Sequence, residues 1–200
     1  MIEKYLEKMK SNESYAAKYD ERTKEIQMRA KKLIYRYNNT EPDMEAERKA
    51  ILQNLFYNDE INICIEPPFH CDYGFNIKFQ GFTVINYNCS ILDTSPVYIG
   101  ENTFIAPNVC ITCAGHAIHP QDRNSIVTSK PIFIGKDVWI GANATILGGV
   151  HIGSGSIIGA GSVVTDNIPE NVIAVGVPCK VLRSITEADR LHMRDTMETV

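Results

Sequence analysis

The second half of the chain repeats a branched aliphatic residue at every sixth position. The repeat runs in two stretches, first Ile99, Ile105 and Ile111, and then Ile134, Ile140, Ile146, Ile152, Ile158 and Val164. An amphipathic helix repeats its apolar residues about every 3.6 positions, and a half-buried strand about every 2. A period of six fits neither. It predicts a hexapeptide solenoid of short parallel strands, in which three hexapeptides make one turn.

Small residues follow many of these aliphatic positions and favour tight corners between strands. They are Gly100, Ala106, Gly135, Gly141, Gly153 and Gly159. Each aliphatic side chain is expected to point inward and to stack ~4.8 Å from its equivalent in the next turn. Because burying one isoleucine contributes about 1.5–3 kcal/mol, this interior ladder is the predicted source of the coil's stability. The corners themselves need Gly, Asn or Asp, as at residues 100–102, 135–137 and 141–143.

The phase of the repeat breaks once. Ile111 and Ile134 are separated by 23 positions, one fewer than four repeats require. We therefore predict a loop at about 117–127, and a loop that leaves a regular scaffold is a common place for function. Before the repeat the pattern is weaker, and the coil is expected to begin near residues 60–70.

The two ends of the chain have a different pattern from the coil. The first segment is rich in charge and carries apolar residues at helical spacing, namely Ile26, Ala30, Leu33 and Tyr37, then Ile51, Leu52, Leu55 and Phe56. Such helices would cover the open first turn, whose strand edges would otherwise be exposed. The predicted fold is therefore mainly β, with three parts: an N-terminal helical cap over 1–58, the coil over 59–183 with its protruding loop, and a short C-terminal helix or tail over 184–200.

Composition and charge exclude some classes of function. The formal net charge of −4 argues against nucleic acid as a partner, which would require a basic face. No apolar run approaches a membrane span, so no membrane partner is expected. The first ten residues are charged and amphipathic, unlike a signal peptide. A cytoplasmic location is the resulting expectation.

The chain has six cysteines, which are expected to be free thiols in a reducing compartment. Cys71 and Cys89 are eighteen apart, as equivalent positions of successive turns would be. Cys110 and Cys113 form a C-x-x-C pair, but no second pair follows at zinc-finger spacing. We favour small apolar side chains that fill the coil over a metal or redox role.

Several segments give the chain a family resemblance. They are Glu-Pro-Pro-Phe-His-Cys-Asp-Tyr-Gly at 66–74, Gly-His-Ala-Ile-His-Pro at 115–120, and Val-Gly-Val-Pro-Cys-Lys-Val-Leu-Arg at 175–183. With the hexapeptides, they make the chain resemble the maltose and galactoside O-acetyltransferases of the hexapeptide acyltransferase superfamily. The resemblance implies a left-handed parallel β-helix, a homotrimer, and active sites between neighbouring subunits.

The resemblance also implies an activity, the transfer of an acetyl group from acetyl-CoA, as co-substrate, to a hydroxyl of a sugar or glycoside. His116 matches the family's catalytic histidine. An imidazole is largely neutral near pH 7 and can remove the hydroxyl proton as a general base. The Ala142 N–H would stabilise the oxyanion that forms at the thioester carbonyl. Direct attack of this kind requires no metal and no covalent enzyme intermediate.

The remaining site residues follow from the same resemblance. The acceptor-binding group consists of side chains that can exchange hydrogen bonds with hydroxyls, namely Asp20, Asp72, Asn86 and Asp93. The cofactor-binding group is Ala142, Ala160, Thr165, Asp166, Lys180 and Arg183, of which the two cations suit the 3′-phosphate of coenzyme A. The chain departs from the family pattern at Gln27, where an arginine is frequent, and around Asp93, where the spacing differs by one.

Three alternatives stay open. The main one is an acetyltransferase of the same fold with a different acceptor, such as serine, an antibiotic or an amino sugar. A γ-type carbonic anhydrase would need three zinc-binding histidines, and the spacing of His116, His119 and His151 does not match that pattern. The third alternative is a non-catalytic scaffold that keeps only the coil.

Overall fold

The structure is a computed structural model and describes residues 2–191. Its helices are α1 (Ile2–Lys10), α2 (Thr23–Asn38), α3 (Glu45–Phe56) and α4 (Pro120–Arg123), followed by one 3₁₀ turn at Glu187–Asp189. Its strands are β1 (Tyr15–Lys18), β2 (Ile63–Ile65), β3 (Phe69–Cys71), β4 (Ile77–Phe79), β5 (Thr83–Ile85), β6 (Cys89–Leu92), β7 (Val97–Ile99), β8 (Thr103–Ile105), β9 (Cys110–Thr112), β10 (Ala114–His116), β11 (Ile126–Ser129), β12 (Ile132–Ile134), β13 (Trp139–Ile140), β14 (Thr145–Leu147), β15 (His151–Ile152), β16 (Ile157–Ile158), β17 (Val163–Val164), β18 (Val172–Val175) and β19 (Lys180–Ser184).

Most of these strands form a parallel coil with three flat faces. The first face contains β2, β5, β8, β13, β16 and β18, and β19 folds back against β18 in antiparallel orientation. The second face contains β3, β6, β9, β14 and β17. The third face contains β4, β7, β12 and β15. The predicted solenoid is therefore confirmed.

The six-residue repeat forms the interior of this coil. Every aliphatic residue of the repeat, from Ile99 to Val164, is at most 3% exposed. On the first face Ile105, Ile140 and Ile158 occupy equivalent positions in successive turns. The interior is thus a column of stacked branched side chains, and burial of this column is the main contribution to the stability of the fold.

The corners use the residues that the sequence indicated. Asn102, Asp137 and Asn143 adopt the left-handed region, with φ of 56°, 55° and 60°. At Gly100, a Cβ atom would lie 2.4 Å from the backbone of Gly135 in the next turn, so no larger residue fits without displacement. Successive turns therefore approach each other closely at this corner.

The early turns of the coil are longer than predicted. Ile65 pairs with Ile85, which pairs with Ile105, so each turn here takes twenty residues instead of eighteen. Consequently Cys71 aligns with Ile91 and not with Cys89, and the expectation that these cysteines are one turn apart is wrong.

The extra length in these turns lies at one corner, between the second and third faces. This corner comprises residues 72–76 in one turn, 93–96 in the next, and the long insertion 113–131 in the third. We call it the extended corner. The opposite edge of the second face, where each strand of the first face leads into the second, is called the small-residue corner.

The N-terminal helices close the first turn of the coil. The predicted core side of α3, Ile51, Leu52, Leu55 and Phe56, is buried. In α2 the buried stripe contains Ala30, Ile34 and Tyr37. Asn38 exchanges two hydrogen bonds with the backbone of Phe69, at 3.0 Å each, which fixes the end of α2 on the coil.

The described part of the C-terminal region, up to residue 191, contains one short helical turn. Within the described residues it forms only the 3₁₀ turn, which starts with a capping box at Thr186. The rest of the predicted C-terminal helix, residues 192–200, lies outside the described residues. Over the described range 2–191, none of the helices is long and apolar enough to cross a membrane.

Candidate functional site

His116 lies at the end of a small antiparallel sheet that projects from the extended corner. The sheet has the order β1, β11, β10, so the N-terminal strand is held against the insertion. His116 pairs with Val127, and Val127 also pairs with Ala17 of β1. Two polar contacts hold the sheet on the coil, because the Tyr15 hydroxyl donates to the Thr94 carbonyl at 2.9 Å and the Thr94 and Ser129 hydroxyls are 2.6 Å apart.

The His116 ring is exposed and has one defined partner. Its Nδ1 lies 3.1 Å from the backbone oxygen of Arg123. Because a carbonyl oxygen can only accept, Nδ1 carries the hydrogen in the neutral ring and Nε2 keeps a free lone pair. The ring borders an open cavity of about 430 Å³ that is also lined by Pro120, Arg123 and Asn124. This arrangement leaves Nε2 able to accept a proton.

Asp20 is positioned by the same small sheet. It follows β1 by two residues, and the preceding Tyr19 N–H donates to the Ser125 carbonyl at 3.3 Å. The Asp20 carboxylate accepts hydrogen bonds from the Arg22 side chain, which lowers the pKa of Asp20. Asp20 and His116 therefore lie at the same end of this sheet.

Asp72 begins the first segment of the extended corner and is half-buried. Gln27 of α2 donates from Nε2 to Asp72 Oδ1 at 3.4 Å. Burial raises the pKa of Asp72, while Lys31 and Gln27 act in the opposite direction. The departure from the family pattern at Gln27 is thus in direct contact with a predicted acceptor residue.

Asp93 does not fit its predicted role. Its side chain is fully buried, at 0% exposure. Oδ1 accepts the backbone N–H groups of Asp72 and Tyr73 at 3.0 and 2.8 Å, and Oδ2 accepts that of Asn76 at 3.2 Å. The carboxylate therefore holds the 72–76 segment in place and has no surface for an acceptor. Burial raises the pKa of Asp93 to about 7, against the opposing effect of the N–H donors.

Asn86, Ala142 and Ala160 lie at the small-residue corner. Successive turns stack there, since the Gly161 N–H donates to the Ala142 carbonyl at 2.8 Å. The N–H groups of Ala142 and Ala160 have no acceptor among residues 2–191. Asn86 lies at the same corner in an earlier turn of the coil, and its backbone N–H donates to the Ile105 carbonyl at 2.9 Å. This edge of the coil offers free backbone donors beside small side chains.

The predicted cofactor cations are already paired with carboxylates. Lys180 contacts Asp166 at 3.0 Å, and Thr165 donates to the same carboxylate at 3.0 Å. Arg183 makes two hydrogen bonds to Asp189, at 2.8 and 2.6 Å. The pKa of Asp166 is lowered by Lys180, and that of Asp189 by Arg183. An incoming phosphate would compete with these carboxylates.

A single chain does not gather all the predicted residues. His116, Asp20 and Asp72 belong to the extended corner or to the sheet that projects from it, whereas Asn86, Ala142 and Ala160 occupy the small-residue corner. These corners lie at opposite ends of the strands of the second face. The two groups are therefore separated by the width of that face.

Metal ligands and reactive thiols are not grouped in the described chain. Over residues 2–191 no cluster of three or more His, Cys, Asp or Glu side chains could hold a metal ion. Of the cysteines, Cys64 is exposed and Cys110 half-exposed, and Cys71, Cys89, Cys113 and Cys179 are buried. Burial raises the pKa of Cys113 to about 12, so this thiol is not activated.

Sequence reasoning did not identify two features of the site. Arg123 contacts the His116 loop through both its backbone and its side chain, but no repeat or spacing marks it. The pairing of β1 with β11 was also missed, because short strands so far apart in sequence leave no local signal. The sequence did identify Gln27 as a departure from the family pattern. In the structure its side chain contacts Asp72, a predicted acceptor-binding residue.

Comparisons with known proteins give matches over most of the chain. Residues 131–166 match the family described as bacterial transferase hexapeptide (six repeats), and residues 8–58 match the maltose acetyltransferase hexapeptide capping motif. The galactoside O-acetyltransferase of Escherichia coli K12 is 42% identical over 167 residues, which cover 83% of this chain and 82% of that protein.

Two solved structures are also similar. A maltose O-acetyltransferase from Clostridium difficile 630 has 42% identity and a TM-score of 0.84, with 90% of this chain and 97% of that chain covered. A hexapeptide-repeat-containing acetyltransferase from Vibrio cholerae, complexed with acetyl-coenzyme A, has 34% identity and a TM-score of 0.83, with 92% and 99% covered.

Proposed function

Because the chain belongs to the maltose and galactoside O-acetyltransferase family of hexapeptide-repeat proteins, we propose that it transfers an acetyl group from acetyl-CoA to a hydroxyl of a sugar or glycoside. The observation that carries this proposal is the state of His116. Its Nδ1 is occupied by the Arg123 carbonyl, and its exposed ring borders an open cavity. A hydroxyl in that cavity would find Nε2 as a proton acceptor.

In the proposed reaction His116 acts as a general base. Nε2 removes the acceptor's hydroxyl proton as the oxygen attacks the thioester carbonyl, which forms a new C–O bond and an oxyanion. Collapse of this intermediate breaks the C–S bond, and the proton leaves with the thiolate of coenzyme A. A backbone N–H near the oxyanion stabilises it, and the unpaired N–H of Ala142 is our candidate.

The acceptor is proposed to bind near the small sheet. Asp20 and Asp72 supply carboxylate oxygens that accept hydrogen bonds from hydroxyls, and Asn86 supplies an amide that can both donate and accept. Their placement at two corners supports a site completed by a second copy of the chain. A closed ring of three copies, with one site at each interface, is the assembly we propose.

The cofactor is proposed to lie along the small-residue corner. Ala142 and Ala160 leave room for the thin pantetheine arm, and their N–H groups are free to bind its amides. Thr165, Asp166, Lys180 and Arg183 lie farther along the coil, where the two cations would bind the 3′-phosphate after exchanging their present carboxylate partners. The cytoplasmic location remains a prediction.

An acceptor screen tests the proposal. The purified protein is incubated with acetyl-CoA and a panel of sugars, glycosides, amino sugars, serine and antibiotics, and free thiol release is measured together with the mass of the product. We expect acetylated sugar or glycoside. Preference for serine or an antibiotic would show that the enzyme uses another class of acceptor. Stoichiometric zinc with carbonic anhydrase activity would contradict the proposal. No transfer to any acceptor would favour a non-catalytic scaffold.

A further inference from the structure

We infer that Arg123 is a positioning residue for His116: it holds the loop after the base so that the ring keeps one tautomer and one orientation. The inference rests on the proposed function for the task of His116. It extends that function by assigning a role to Arg123, whose side chain hydrogen-bonds to the backbone after His116 and to none of the predicted acceptor- or cofactor-binding residues.

Arg123 reaches the His116 loop at three points. Its backbone oxygen accepts the hydrogen of His116 Nδ1, at 3.1 Å. Its guanidinium donates from Nε to the Ala117 carbonyl at 3.3 Å and from Nη2 to the Ile118 carbonyl at 2.5 Å. Since Ala117 and Ile118 directly follow His116, one residue fixes both the ring and the backbone that carries it.

The local structure explains why the Arg123 carbonyl is available. Arg123 ends the single turn of α4, in which the N–H groups of Asp122 and Arg123 donate to the His119 carbonyl at 3.1 and 3.2 Å. The last carbonyls of a helix have no partner within it, so this oxygen is free to accept from the imidazole. A helix of one turn is marginal without tertiary contacts, and the guanidinium supplies such contacts.

The guanidinium has no competing ionic partner. None of the ion pairs among residues 2–191 includes Arg123. Its donors are directed at two adjacent carbonyls, an arrangement that suits the planar fork of arginine better than the single point charge of lysine. The side chain therefore organises backbone and does not neutralise a carboxylate.

The test compares Arg123→Ala and Arg123→Lys with the wild type, and uses Arg36→Ala as a matched control. Arg36 is an exposed arginine of α2 that pairs with Glu47, remote in sequence from the loop. In the wild type, ¹⁵N spectra of histidine-labelled protein above pH 8 should show His116 as the Nδ1–H tautomer alone. In Arg123→Ala we expect a mixture of both tautomers.

Kinetics supply the second readout. We expect kcat of Arg123→Ala to fall roughly tenfold to a hundredfold, as small misplacements of catalytic groups do, while KM for acetyl-CoA stays within about twofold. Arg123→Lys should fall less, and added guanidinium ion should restore part of the activity of Arg123→Ala. Arg36→Ala should match the wild type in both readouts.

Two results would overturn the inference. One is an Arg123→Ala variant with wild-type kcat and a single His116 tautomer, and the other is an equal loss in Arg36→Ala. If Arg123→Ala does not fold, Arg123→Lys decides by the same criteria. If the wild type transfers no acetyl group, the proposed function fails, yet the tautomer comparison still shows whether Arg123 holds the ring.

Discussion

The interior of the coil and the small sheet that carries His116 are held together in different ways. The interior is an unbroken column of aliphatic side chains, each at most 3% exposed from Ile99 to Val164. The small sheet is half-exposed and depends on backbone pairing and a few polar contacts, such as Tyr15 to the Thr94 carbonyl. The first region supplies stability through buried side chains. The second region positions an imidazole while it buries little surface.

The two regions meet at the extended corner. The corner lengthens by two residues in the early turns and then opens into the insertion at 113–131. A solenoid tolerates such additions because each turn contacts only its neighbours. The fold thus accommodates additional residues at one corner of consecutive turns while the interior repeat stays intact.

The largest predicted effect separates activity from stability. His116→Ala removes the proposed base, and kcat should fall by roughly 10²–10⁴. Because the side chain is exposed, the melting temperature should stay the same. His151→Ala, an exposed histidine on β15, is the matched control and should keep full activity. Normal turnover in His116→Ala would remove His116 from the role of general base.

The converse prediction concerns the interior. Ile140 is 0% exposed, so Ile140→Ala should leave a cavity in the interior of the coil. The free energy of unfolding should fall by about 2–5 kcal/mol. Ile126→Ala, on the half-exposed β11, should lower it by about 1 kcal/mol or less. Urea unfolding of both variants measures the contrast. Equal losses would mean that the two regions do not differ as described.

Asp93 tests the corner where the regions meet. Its pKa of about 7 lies above the ordinary value of 3.8, so the folded state binds more protons than the unfolded state between those values. Stability should therefore fall as pH rises from about 4 to about 7, by about 1.4 kcal/mol per pH unit at most. Asp72, Cys71, Cys113 and Lys78 are the ionisable neighbours.

Asp93→Asn should flatten this dependence. The variant keeps Oδ1 as an acceptor for two N–H groups but loses the acceptor for Asn76. We expect it to be less stable than the wild type at pH 5, with a smaller difference at pH 8, as read from melting temperatures. A constant difference across that range would show that Asp93 does not titrate there.

The smallest predicted effect lies at the last strand. Asp189 occupies the fork of Arg183 that we assign to the 3′-phosphate. Asp189→Asn should lower KM for acetyl-CoA by about two- to fivefold, a range typical of an exposed ion pair. The change should vanish with the 3′-dephospho cofactor. An equal gain with both cofactors would place the phosphate elsewhere.

The predictable part of the molecule is the part that repeats. The period of six predicted the interior of the coil, and the helical spacing predicted the buried side of α3. The longer early turns were missed because the eighteen-residue turn of the regular repeat was also applied to Cys71 and Cys89, whereas the structure pairs Cys71 with Ile91. The spacing of residues along the sequence does not show which residues lie at a corner. That assignment requires the pairing of strands in successive turns.

The sequence indicated candidate site residues by their type but not how they are arranged. The Gly-His-Ala-Ile-His-Pro segment marked His116, yet its tautomer depends on the Arg123 carbonyl seven residues on. Asp93 was assigned to the acceptor because the family resemblance implied an acceptor-binding carboxylate there. Its burial and its three N–H donors come from the packing of one turn on the next, which the sequence does not reveal.

We propose that each reaction site combines the extended corner of one copy with the small-residue corner of another. Mixing two inactive variants tests it most directly: His116→Ala, and Ala142→Trp, which blocks the opposite corner. After co-refolding in equal amounts, about a quarter of the interfaces in a cyclic assembly would carry two intact halves, so we predict about that fraction of wild-type activity. No recovery of activity in mixed assemblies that are shown to form would contradict the claim.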